Sequence, residues 1–148
     1  MVARTRPEAQ IAATILMSRD DQTINMVIAA LGGEGGGVLT NWLISVAERS
    51  GWWCQSTSLA GVAQRTGATI YYLEFMPREA DQRAPVMSLF PAQGDIDIAV
   101  ASEIAEAGRM ISRGFISPDK STLITSYHRV FGITEKSATG DGTVDRDL

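Results

Sequence analysis

The stretch Thr23–Leu31, TINMVIAAL, runs straight into Ala30–Leu39, ALGGEGGGVL, with five glycines in the six positions 32–37. A near-continuous apolar run of this length, stopped by glycine, reads as a strand buried on both faces, as in a parallel sheet. The text after it changes period. Val38, Leu39, Trp42, Leu43, Val46 and Ala47 recur at helical spacing, and Gly51 supplies a stop. A second strand begins at Trp52, in WWCQSTS. Strand, glycine turn, amphipathic helix and strand form one βαβ unit, which restricts the chain to an α/β architecture.

The remaining text extends that plan. Gly67–Phe75, GATIYYLEF, is rich in β-formers and is expected as a third strand. The interval Leu59–Thr66 is short for a parallel crossover, so this strand either runs antiparallel or is reached through a single helical turn. The segment with Pro77, Pro85 and Pro91 reads as loop, with one short strand at Val86–Phe90. Asp95–Ala101 is a fourth strand, followed by a helix with Ser102 as N-cap, Ile104, Met110 and Ile111 on one side, and Arg109 and Arg113 near its end. STLITSYH is a further strand. The expected fold is α/β: a Rossmann-like, mostly parallel open sheet with crossover helices in a single domain. Residues 1–22 are read as an N-terminal arm or short helix and 23–132 as the domain. The polar segment 133–148 is read as the truncated continuation of a longer chain or a naturally short end.

Composition narrows the function. With 148 residues, 45 % hydrophobic and 20 % charged, the chain is long enough for one real core. A net charge of −4 with scattered Lys and Arg gives no field for nucleic acid. No apolar run is long enough to span a bilayer. The basic start is interrupted by Glu8 and Gln10 and closed by Ser18-Arg19-Asp20-Asp21 without a cleavage site, so a cytoplasmic chain is expected. Cys54 and His128 are the only residues of their kinds. An internal disulfide is impossible, an iron–sulfur cluster cannot be ligated by this chain alone, and a Cys- or His-rich metal site is excluded by count.

The glycine turn has two readings. A turn between a buried strand and a helix offers free N–H groups and the positive end of a helix dipole, the physics of phosphate binding. The best fingerprint register, Ala30-Leu31-Gly32-Gly33-Glu34-Gly35, fails at its first glycine. The place of the ribose-binding acid is taken by Cys54-Gln55-Ser56-Thr57, and no Lys-Ser or Lys-Thr pair follows the glycines. Glu34 repels phosphate. The other reading, favoured by these residues, is that the glycines permit a left-handed turn and let the helix lie close on the sheet.

ALGGEGGGVLTNWL, QSTSLAGVAQRTGATIYYLEF and GDIDIAVASEIAEAGRMISRGFISPDKSTLITSYHRVF together resemble the gamma-type domain of 2-oxoacid:ferredoxin oxidoreductases, from Thr23 to about Gly142. Within that family the chain is most similar to the beta subunit of indolepyruvate (arylpyruvate) oxidoreductase. Glu34 stands where most of the family has glutamine, and Arg65-Thr66-Gly67 where most has Arg-Gly-Gly; both departures fit the indolepyruvate branch. The resemblance implies oxidative decarboxylation of a 2-oxoacid on thiamine diphosphate with magnesium. Electrons leave through iron–sulfur clusters to ferredoxin, and these groups reside in a partner subunit. Coenzyme A is a substrate in members that use it. Gly140-Asp141-Gly142 is similar to the start of a thiamine-diphosphate motif, but no Asn follows it, and it is read as a turn.

The candidate surface for cofactor binding or for a subunit interface comprises Gly32, Gly33, Glu34 and Gly35 with Gln55, Ser56, Thr57, Ser58, Gln64, Arg65, Thr66 and Gly67. Ser56–Ser58 are placed where the second strand ends, and open α/β sheets bind ligands beyond such ends. Arg65 either grips a carboxylate or phosphate through two N–H bonds or braces a loop or interface. Glu34 is expected to brace its own turn. His128 is read as structural, Cys54 as a small buried residue, and Trp42, Trp52 and Trp53 as core or interface. Tyr71 and Tyr72 alternate, one inward and one outward. No catalytic residue is assigned and no metal site is expected. The competing reading is a stand-alone nucleotide- or dinucleotide-binding Rossmann-like domain.

Overall fold

The computed structural model describes residues 23–60, 68–79 and 83–131. The N-terminal arm, Gln64–Gly67, and the C-terminal segment with its Gly140-Asp141-Gly142 lie outside the described residues. In chain order the elements are β1 (Ile24–Leu31), α1 (Gly36–Arg49), β2 (Trp52–Ala60), β3 (Ala68–Pro77), β4 (Ile98–Ala101), α2 (Ile104–Ser112) and β5 (Thr122–Thr125). The strands form one sheet in the order β2-β3-β1-β4-β5. β1 pairs parallel with β4, β4 parallel with β5, and β3 runs antiparallel to both β1 and β2. Four strands therefore share one direction, and β3 is inserted between β1 and β2. The short interval before β3 requires this reversal, because there is no room for a parallel crossover.

β1 is central and buried along Ile24–Ala30, as its near-continuous apolar text demands. Its alternate side chains feed two cores. Val27 and Ala29 join Ala107 and Met110 of α2, while Met26 and Ile28 meet Leu39, Leu43 and Ile44 of α1. The two helices thus lie on opposite faces of the sheet. Tyr72 belongs to the first core and Tyr71 packs against the second, so both faces are covered and neither ring points outward as the alternation suggested.

Several local expectations are corrected. No strand forms over Val86–Phe90. That segment is strapped across β2 and β3 by side chains: Gln55 Nε2 donates to the Ser88 carbonyl at 3.1 Å, Thr57 Oγ1 to the Leu89 carbonyl at 2.7 Å, and Ser88 N to Glu74 Oε2 at 2.5 Å. β4 starts at Ile98 rather than Asp95, and the Asp95 and Asp97 carboxylates before it accept from Asn25. Ile111 is exposed, and the α1 stripe of Val38, Trp42 and Val46 faces away from the core, with Trp42 67 % exposed. Helical spacing located α1 correctly but spread its apolar face wider than the part that meets the sheet. Trp53 lies beneath the Arg78 guanidinium, 4.3 Å from its ring centroid. β5 alternates exposed and half-buried residues, and His128 after it is exposed.

Candidate functional site

β1 and β4 are parallel neighbours whose chains depart to helices on opposite faces. That divergence is a topological switch point, where open α/β sheets leave a crevice beyond the strands' carboxyl ends. The glycine turn forms one lip of it. Glu34 N donates to the Leu31 carbonyl at 3.1 Å, closing the turn. Gly33 (φ 88°) and Gly35 (φ 80°) are left-handed, which explains two of the glycines. Gly36 has a different cause. A Cβ there would stand 2.6 Å from the Ala30 Cβ and 2.9 Å from Tyr71 Cε2, so only glycine lets the start of α1 rest on β1 and β3.

Ser102 and Glu34 close the crevice between the lips. Leu31 N donates to Ser102 Oγ (3.3 Å) and to Glu34 Oε2 (3.2 Å), and Ser102 Oγ donates to Glu34 Oε2 in a short hydrogen bond. Ser102 N continues the ladder to the Ala29 carbonyl at 3.0 Å. Glu34 therefore braces its own turn, as its position suggested, and also ties β1 to β4. Ser102 is not the N-cap of α2. Glu103 takes that role: its Oε2 accepts from Glu106 N at 3.2 Å, and its Oε1 accepts from Val130 N at 3.2 Å and Arg129 Nη1 at 3.4 Å. Ile104 N donates to the His128 carbonyl at 3.1 Å. The segment after β5 is thus bound to the start of α2 on the same edge of the sheet.

This edge offers backbone donors and one fixed carboxylate. Gly35 caps α1 without a side-chain acceptor, and nothing stands within 4 Å of the Cβ positions of Gly32, Gly33 and Gly35. Glu34 is the exposed acid beside these donors and is held in place by the Ser102 bridge.

The second predicted surface is divided. β2 continues to Ala60, so Gln55–Ser58 lie within the strand and not at its end. Strand alternation then sends Gln55 and Thr57 to the strap side and leaves Ser56 and Ser58 exposed on the opposite side. Gln55 and Thr57 are occupied with Ser88 and Leu89, which gives them a structural use.

Two groups carry polar chemistry that the sequence reading missed. Asn25, in the middle of apolar text, donates through N to Asp97 Oδ2 (2.9 Å) and through Nδ2 to Asp95 Oδ2 (2.9 Å), and it accepts from Tyr72 OH (3.2 Å). Lys120 Nζ joins Asp95 Oδ1 at 2.5 Å and Asp97 Oδ1 at 3.7 Å. Burial, followed by the charges of Glu74, Asp95 and Asp97, pushes the Tyr72 phenol up to about 12. An interrupting Asn in a buried strand and the Asp-Ile-Asp alternation were the available signals. Ser102 had one too: it follows β4 as the glycines follow β1.

Cys54 is half-buried, and burial, then the Glu48 charge, pushes its thiol up to about 11. It stays protonated near neutrality and is a poor ligand or nucleophile. Among the described residues no grouping of His, Cys, Asp and Glu could hold a metal ion, and no helix is long and apolar enough to cross a membrane.

Comparison with known proteins assigns this architecture. Residues 25–142 match the family model for pyruvate ferredoxin/flavodoxin oxidoreductase. No curated protein sequence matches. Among solved structures, a 2-oxoglutarate:ferredoxin oxidoreductase from Magnetococcus marinus, with 2-oxoglutarate, coenzyme A and succinyl-CoA bound, shares the fold with a TM-score of 0.53 and 14 % identity. The similarity covers 84 % of this chain and 18 % of that one, so the present chain spans under a fifth of the larger protein. The chain belongs to the pyruvate ferredoxin/flavodoxin oxidoreductase family, as a gamma-type α/β domain of the 2-oxoacid:ferredoxin oxidoreductases.

Proposed function

We propose that the chain is the gamma-type subunit or domain of an arylpyruvate (indolepyruvate) oxidoreductase that passes electrons to ferredoxin. The observation that carries this reading is the family match over residues 25–142. Glu34 and Arg65-Thr66-Gly67, departures that fit the indolepyruvate branch, support the aryl assignment. In this reading residues 23–132 form the domain, flanked by 1–22 and 133–148, and the enzyme works in the cytoplasm.

The chain's own residues do not fit the cofactors of such a reaction. One cysteine cannot ligate an iron–sulfur cluster, and among the described residues Glu34, Asp95 and Glu103 are engaged with Ser102, Lys120 and Arg129, with no cluster of carboxylates gathered for magnesium. Thiamine diphosphate, magnesium and the clusters are assigned to the partner subunit. The glycine edge, with Gln64–Gly67, contributes to the wall of the partner's cleft.

Coexpression with a thiamine- and cluster-bearing subunit tests this. The expected result is a stable complex that reduces ferredoxin with arylpyruvates in preference to pyruvate or 2-oxoglutarate. A chain that purifies alone, beside a partner fully active without it, overturns the proposal.

A second reading is a self-sufficient nucleotide-binding domain, favoured by the absence of a side-chain cap on α1 and the open glycines before it. Calorimetry with NAD, FAD, ATP and coenzyme A separates the two. Saturable NAD or FAD binding by the isolated chain makes it the second; binding of coenzyme A alone agrees with the first, in a member that uses that substrate.

A further inference from the structure

The two edges of the sheet are built differently. β5 is four residues long, and short edge strands offer little for another chain to pair with. β2, at the opposite edge, has nine residues in register with β3 from Trp52 to Ala60. Among the described residues nothing pairs with its outer side. Its text, WWCQSTSLA, holds no charge, no proline and no glycine. The ladder to β3 advances one residue for one residue, without a bulge. The usual protections of an edge strand are charges, proline, bulges and shortness, and β2 has none of them.

A separate observation falls on the same edge. Gln55 and Thr57 hold the strap at Ser88 and Leu89, and this strap carries exposed apolar side chains at Val86 and Leu89. On the other face, α1 packs chiefly on β2. Among the described residues the edge is therefore backed by a helix, flanked by apolar surface and open along its backbone.

We propose that β2 is the interface with a second copy of this chain, paired antiparallel about a two-fold axis through Ser56 to give a continuous ten-strand sheet. Full overlap of the nine residues fixes that register. Trp53 of one copy stands opposite Leu59 of the other, Cys54 opposite Ser58, Gln55 opposite Thr57, and Ser56 opposite itself. Each pair is apolar or hydrogen-bonding. A chain with net charge −4 meets its copy along a strand without charge, so no like charges are brought together in the ladder. An isologous strand pair also closes after two subunits, so it forms a dimer rather than a fibre. This inference is independent of which 2-oxoacid the family assembly uses.

The axis makes the test specific. Ser56 is exposed, and its hydroxyl bonds to no other side chain or backbone group among the described residues, so Ser56→Lys is expected to leave the folded monomer intact while placing two like charges face to face. Sedimentation velocity of the full chain without any partner is expected to show a concentration-dependent dimer. Ser56→Lys and Ser56→Glu should each weaken it about tenfold or more with unchanged circular dichroism. An equimolar mixture of the two variants should restore association, because Lys then faces Glu. A chain that stays monomeric through about 100 µM, a dimer indifferent to either charge, or a mixture no tighter than the single variants overturns the proposal. So does association that appears only with a partner subunit, which would assign β2 to that partner instead.

Discussion

Gly36 shows how one missing atom sets the geometry of the site. With a 2.6 Å approach to the Ala30 Cβ, an added methyl has no flexible neighbour to displace. Gly36→Ala should destabilise the chain by about 1–3 kcal/mol, read as a lower urea midpoint at unchanged slope. Gly32 has open space at its Cβ position, and its replacement by alanine serves as the near-neutral control. Cys54 is a second residue-scale case. Its thiol ionises near 11 where the unfolded chain's ionises near 9.0. Alkylation at about pH 8 should therefore run well below the rate of the urea-unfolded chain, the difference closing as the pH approaches the folded value.

At the scale of elements, two hydrogen-bonded ties hold the carboxyl edge together. Ser102 links the ends of β1 and β4 through Leu31 N and Glu34. Ser102→Ala should cost about 1 kcal/mol and raise hydrogen exchange at Leu31 and through the glycine turn, while β3 stays protected. Glu103 is only 2 % exposed and serves α2, Val130 and Arg129 at once. Glu103→Ala removes the cap and one partner of the Arg129 guanidinium together. A loss of about 3 kcal/mol is expected, with exchange increasing over residues 126–131. The sequence pointed to a capped helix here but chose Ser102, because both residues are good acceptors and only the backbone angles separate them. Glu103 is extended, with φ −146° and ψ 143°, as an N-cap must be.

The whole molecule should show its buried polar groups in alkaline stability. Tyr72 is 2 % exposed and bonded to Asn25, and its folded value is raised from 10.0 to about 12. The folded state keeps the proton that the unfolded state loses, so the contribution is fully present below 10.0, falls as the pH rises, and is gone above about 12. Cys54 acts in the same sense between 9.0 and about 11. Unfolding free energy should therefore decline from about pH 9 upward. Tyr72→Phe should flatten the upper part of that decline, and an unchanged slope would remove Tyr72 as its cause. The same architecture explains how far the site could be foreseen. β1, the glycine turn and α1 are local in sequence, and their periodicity identified them. Gln55–Ser58 failed as a single surface because strand alternation, set by pairing with β3, assigns neighbours to opposite faces.

The sequence by itself determined the α/β class, the left-handed turns and the family, since apolar period, glycine position and motif order are written along the chain. Tertiary structure alone decided that β3 enters between β1 and β2, that residues 86–90 form a strap, and that Glu34 meets Ser102 across 68 positions. Those contacts depend on which strands become neighbours. That choice is made by burying both faces of one sheet at once, which no local stretch encodes.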